Sequence, residues 1–168
     1  GSHGQPVSFE YIKEKNPDWL FVLDRSAAIG EEGQAAREVL NNPLEGATGL
    51  MATIDSGLRE VLAGDLEMHT DARSVACYTD TTRAWMIGRT AARLPGSPED
   101  GADTFARFDN AVTRIARTTA EHVGAEGTAL LVAHGTVLRL WTALAAAPGG
   151  GADPAWIADH PVRNAGIS

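Results

Sequence analysis

The residues of this chain best suited to chemistry stand at the ends of apolar runs. Thr128-Ala-Leu-Leu-Val-Ala133 is a run of strand length that stops at His134-Gly135-Thr136. An imidazole at that point, just before a helix, lies where open α/β sheets bind their ligands. The helix start adds unpaired N–H groups and the positive end of a dipole, which suit an anion such as phosphate. His134 and Gly135 are therefore candidate anion-binding residues. A lone strand-end histidine more often serves structure, so position alone leaves both readings open. The same arrangement recurs at Trp19-Leu-Phe-Val-Leu23, followed by Asp24-Arg25. An arginine there ordinarily pairs with Asp24 or another carboxylate.

The elements that position these residues follow from punctuation and periodicity. Residues 8–15 form a short helix candidate capped by Ser8 and ended at Asn16-Pro17, because a residue before proline leaves the helical region. The run 19–23 is a buried strand, and 31–41 is helical, with Ala35, Val39 and Leu40 inward. Leu50-Met-Ala-Thr-Ile54 is another strand candidate, and 71–87 reads as a helix. A second helix, 102–123, carries Phe105, Phe108, Val112, Ile115 and Thr119 at spacings of three and four, which is an amphipathic stripe. We expect its large residues to be buried together and the two helices to pack on each other. Pro95, Gly96, Pro98 and Gly101 mark the loop between them. The strand 128–133, a helix at 136–147, a short helix from Pro154 to His160 and a strand start at 165–168 complete the chain. Alternating buried strands and helices predict an α/β protein, a three-layer sandwich with a mainly parallel sheet and an α-helical excursion at 71–123.

Composition bounds the function. The chain has 168 residues, of which 43% are apolar, enough for one hybrid α/β domain over 1–168. Fourteen basic residues against 22 acidic ones give a net charge of −8, which argues against nucleic acid as partner. A local cationic pocket for a small anion is compatible with that balance. No apolar run reaches the ~20 residues a membrane helix needs, and the opening residues do not read as a secretory leader, so a soluble protein is expected. The single cysteine, Cys77, excludes a disulfide framework and a thiolate metal cluster, and no cofactor or metal is implied. Gly1-Ser-His reads as the remnant of a tag. Both lysines, Lys13 and Lys15, lie near the start, while the basic residues from Arg25 to Arg163 are arginines. After residue 46 the chain turns rich in Ala, Gly, Arg and Asp. The shift suggests two parents joined near 43–48.

Two resemblances sharpen that reading. Leu58-Arg-Glu60, Ala63-Gly-Asp-Leu-Glu67-Met68, Ala133-His-Gly135 and Arg163-Asn-Ala-Gly-Ile167 resemble the histidine phosphatase (phosphoglycerate-mutase-like) superfamily over about 47–168. The resemblance implies that His134 holds the transferred phosphoryl group and that Glu60 protonates the leaving oxygen; alone, Glu60 would read as a solvated carboxylate. It also implies an opening strand ending in Arg-His-Gly, whose histidine is the nucleophile. This chain has Ser2-His3-Gly4 instead, without an apolar run before it, and only Arg25 as stand-in for the family's next arginine. Residues 3–44, from His3-Gly-Gln-Pro-Val through Trp19-Leu-Phe-Val-Leu-Asp-Arg25 to Ala28-Ile-Gly30 and Asn42-Pro43, resemble siderophore-binding periplasmic proteins of iron-uptake transporters. That likeness implies that Arg25 faces the cleft and helps bind an anionic ferric siderophore.

Three functions follow as expectations. The leading one is an engineered fold-recombination chimera, with a helix–strand–helix piece (1–44) grafted on a phosphatase-like part (45–168) and no intact active site. The second is a phosphomonoesterase with residual activity through His134, Glu60 and Arg25. The third is weak capture of phosphate, another small anion or a ferric siderophore near Arg25, His134 and Gly135. A sheet with uncovered edges would further favour a homodimer by edge pairing or swapping.

Overall fold

Three short strands and four helices are seen in the computed structural model, which describes residues 19–21, 51–146 and 153–161. Arg25, His3, the helix candidates at 8–15 and 31–41 and the strand start at 165–168 lie outside the described residues. The chain divides into two compact units, Gly1–Arg59 with Asn110–Ala133, and Glu60–Asp109 with His134–Gly166.

The first unit holds the sheet. Strands β1 (Trp19–Phe21), β2 (Met51–Thr53) and β3 (Ala129–Leu131) are all parallel, in the order β2-β1-β3. Trp19 is in register with Met51 on one side and Ala129 on the other. The two apolar runs that begin at 19 and 128 thus become direct neighbours. Asp55, just after β2, caps a single 3-10 turn at Ser56–Leu58 by accepting the Gly57 N–H at 2.8 Å. Its other oxygen takes the Arg114 guanidinium at 2.5 Å.

The second unit is helical. Helix α1 (Ala72–Met86) starts on Asp71, whose carboxylate accepts the Ser74 N–H, as a Ser/Asp/Asn-type cap should. Helices α3 (Gly135–Ala146) and α4 (Pro154–Asp159) complete it, with Asp153 as cap and Pro154 in the first turn of α4. Helix α1 packs against α3 and α4, and α3 against α4, around Val61, Trp85, Met86, Leu94, Leu140, Ala143, Ile157 and Ala158. This corrects the expected pairing of the 71–87 and 102–123 helices. The partner of α1 is the later helix pair because its buried end, Trp85 and Met86, shares one core with Leu140 and Ile157.

Helix α2 (Gly101–Val123) runs through both units. It meets α1 at one tight point, where a Cβ on Gly101 would lie 2.4 Å from Cγ of the fully buried Trp85 ring. Only glycine fits under that indole. The indole N–H donates to the Ala92 carbonyl at 2.9 Å, so the ring's polar atom is satisfied as well. The buried stripe of α2 is Thr104, Phe108, Ala111, Ile115 and Thr119. Phe105 and Val112 are only half-buried, flanking it. The buried stripe is displaced by about one residue from the expected one at Phe105 and Val112, with the smaller Thr104 and Ala111 fully buried in their place. Thr119 fits there by donating its hydroxyl to the Ile115 carbonyl at 2.9 Å.

Candidate functional site

Helix α3 begins at the histidine that the sequence singles out. The His134 carbonyl accepts the Leu138 N–H at 3.0 Å, which makes His134, half-buried, the residue from which the helix starts. The next N–H groups point at a carboxylate brought from a distant part of the chain. Glu60 Oε1 accepts the Val137 N–H at 2.9 Å, and Oε2 accepts the Thr136 N–H at 3.2 Å. Oε1 also takes the Val61 N–H at 2.9 Å. A carboxylate is acceptor-only and matches the orphan donors and positive dipole end of a helix start. Glu60 thus lies on the first turn of the helix that begins at Gly135, just after His134.

A supporting layer holds Glu60. The Arg107 guanidinium donates to the Glu60 backbone carbonyl at 3.3 Å and forks onto Glu99, with contacts of 3.0 to 3.1 Å. Glu99 in turn accepts the Thr104 hydroxyl at 3.3 Å. Arg107 was not foreseen from the sequence: it lies three residues after Thr104, beside rather than on the expected stripe of Phe105, Phe108 and Val112. Farther along α3, Arg139 donates to the carbonyls of Ile157 and Ala158, closing the open end of α4. Burial pushes its ionisation below the usual arginine range, with Asp159 and Tyr78 acting in the opposite sense.

Tyr78 of α1 is the second residue that went unforeseen. Its side chain hydrogen bonds that of Thr136, beside Glu60. Burial holds the phenol protonated well past its ordinary range, and the Glu60 charge reinforces this. Tyr78 and Glu60 share a cavity of about 250 Å3 with Glu67, His69 and Ser74. Glu67 is fixed by accepting the Ala63 N–H at 2.9 Å. Among the described residues no group of His, Cys, Asp and Glu could hold a metal ion. No described helix is long and apolar enough to cross a membrane.

The family model of the histidine phosphatase superfamily (branch 1) matches residues 36–168. The chain belongs to this superfamily. The match reaches back to residue 36, inside the stretch whose composition points to another parent. A mycobacterial glucosyl-3-phosphoglycerate phosphatase is similar at 27% identity and a TM-score of 0.59, covering 93% of this chain and 70% of its own. The form of that phosphatase solved with VO3 is similar at 26% identity and a TM-score of 0.58, covering 93% and 69%. The superfamily fold is α/β, as the alternation of elements predicts. Part of the chain is also similar to siderophore-binding proteins. The petrobactin-binding protein YclQ of Bacillus subtilis is 40% identical over 73 residues, 41% of this chain. The ferric-anguibactin-binding protein FatB of Vibrio anguillarum is 45% identical over 42 residues, 25% of this chain. The chain spans only 23% and 13% of the lengths of these two relatives.

Proposed function

We propose that this histidine phosphatase superfamily member is a recombined chain: a siderophore-protein segment leads into a phosphatase-type body that binds phosphate without turning it over. One observation supports the reading: Glu60 accepts the N–H groups of Thr136 and Val137, in the first turn of the helix that follows His134. In this reading His134 and Gly135 hold the phosphoryl oxygens, Arg25 adds a cation, and Glu60 stands by the ester oxygen, able to act as proton donor only after its carboxylate has taken up a proton. A path through phosphohistidine also needs a preorganised nucleophile, because tighter ground-state binding does not lower the chemical barrier. The tripeptide that would supply it reads Ser2-His3-Gly4, with serine in place of arginine.

The test is an aryl phosphate assay on the chain and its His134→Ala and His3→Ala variants, beside a phosphate titration followed by tryptophan fluorescence. Phosphate binding that weakens in His134→Ala, with turnover at background, supports the proposal. Turnover that disappears in both variants would replace it with a residual phosphomonoesterase, the reading that the likeness to mycobacterial phosphatases favours. Retained quenching by a ferric siderophore, lost in Arg25→Ala, would favour the binding module that YclQ and FatB suggest.

A further inference from the structure

The geometry points to the cavity beside Glu60 as the seat of the alcohol part of a phosphomonoester, and to a cationic amino alcohol as that part. The inference rests on the phosphate reading above and adds a substrate class to it. Glu60 belongs to both places: its carboxylate lies on the N–H groups of Thr136 and Val137, and its side chain also lines the cavity of about 250 Å3. An ester whose phosphoryl group sits at the α3 start would therefore send its alcohol past Glu60 into this space. The volume suits a small alcohol.

The walls select by charge. Glu60 and Glu67 bring two carboxylates, and no arginine or lysine is among the described residues that line the cavity; Arg107 donates to Glu99 and the Glu60 carbonyl, Arg139 to carbonyls of α4. His69 on the rim faces Asp71 at 3.8 Å, so even when protonated it is offset by a third acid. Val61, Leu66 and Val75 give the space an apolar floor, and Tyr78 gives it an aromatic wall. An aromatic face with carboxylates and apolar contacts is the chemistry that holds an ammonium group, quaternary ones included. A carboxylate-bearing alcohol meets the same two acids and is repelled.

The probes are phosphocholine, sn-glycerol 3-phosphate, 3-phosphoglycerate and inorganic phosphate, titrated into the full chain and followed by calorimetry and by backbone amide shifts. Phosphocholine should bind about tenfold tighter than 3-phosphoglycerate, with the neutral glycerol ester between them. Glu67→Gln, which keeps an acceptor for the Ala63 N–H, should shrink that ratio severalfold, and Tyr78→Leu should shrink it too. Equal binding of the three esters, or a preference for 3-phosphoglycerate, overturns the inference. If inorganic phosphate leaves the Thr136 and Val137 amides unmoved, the phosphate reading has failed. The cavity is then judged with free choline against glycerate: selective shifts at Tyr78 and Glu67 with choline uphold it, and their absence sinks it.

Discussion

Helices α1 and α3 both begin on a carboxylate, but by different means. At α1 the acid is Asp71, three residues before its partner: it takes the Ser74 hydroxyl at 2.6 Å and the Ser74 N–H at 3.0 Å, all at the surface. At α3 the acid is Glu60, 76 residues before Thr136, and its own backbone is held by Arg107 and Glu99. The first start is a turn that any chain with Asp-x-x-Ser can form. The second exists only when the surrounding unit is folded. A local cap tunes stability, whereas an acid delivered to a helix start from afar couples packing to chemistry.

The largest effect should come from what holds α3 along its length. Phe108 is 1% exposed and lies 6.2 Å, centroid to centroid, from Trp141 of α3. The Trp141 N–H also reaches Asp109 at 3.0 Å. Phe108→Ala should cost roughly 3–5 kcal/mol in urea unfolding, as large core truncations do. A loss below about 1 kcal/mol would mean that α3 is held by its start rather than by its side.

Arg107→Ala comes next. The Arg107–Glu99 pair is nearly buried, with side chains 12% and 14% exposed, so removing the guanidinium takes from Glu99 its counter-ion. The cost should be about 3 kcal/mol, and a second change of Glu99 to Leu should recover much of it. If the double variant is as weak as the single one, Arg107 acts by packing and not as a counter-ion. Glu60→Ala follows at about 2 kcal/mol, since it leaves three N–H groups without their acceptor. Measured by the same unfolding curves, a loss under about 0.5 kcal/mol would make the α3 start as local an affair as that of α1.

The contrast also explains what could be read beforehand. The apolar periodicity and the loop glycines and prolines give the helices 71–87, 102–123, 136–147 and 154–160 to within a residue or two of their bounds, because these signals are local chemistry. The meeting of Glu60 with α3 left no trace in spacing; only the likeness of Leu58-Arg-Glu60 and Ala133-His-Gly135 to a known family placed both at one site. The buried stripe of α2 differs from the expected one at Phe105 and Val112, since hydrophobic size alone does not tell which side of a helix is covered. Thr104 and Ala111 are fully buried there, and Gly101 lies under Trp85. Tyr78 went unnoticed for a similar reason: one polar aromatic in a helix gives no sign of what faces it.

A smaller effect concerns the chain entering α1. Met68 adopts φ of 63° and is 84% exposed, so it bears left-handed strain without packing in return. Met68→Gly should raise stability by roughly 1 kcal/mol, because glycine takes this conformation freely. A loss of stability would show that the Met68 side chain contributes despite its exposure.

The smallest effect, and the one that isolates the local cap, is its acid dependence. The Ser74 hydroxyl, with the Ser74 N–H behind it, holds the Asp71 carboxyl below its ordinary range. A carboxyl that ionises more readily in the folded chain than in the unfolded one binds fewer protons when folded. Its contribution is therefore complete above the unfolded value of about 4 and is lost as pH falls below that through the folded value. Asp159, lowered by its hydrogen bonds from Arg83, adds a parallel acid slope that is common to wild type and variant. Asp71→Ala should thus be less stable than wild type near neutral pH, and the two urea midpoints should converge toward pH 2. A gap that stays constant from pH 6 to pH 2 would show that the α1 start owes nothing to the charge of Asp71.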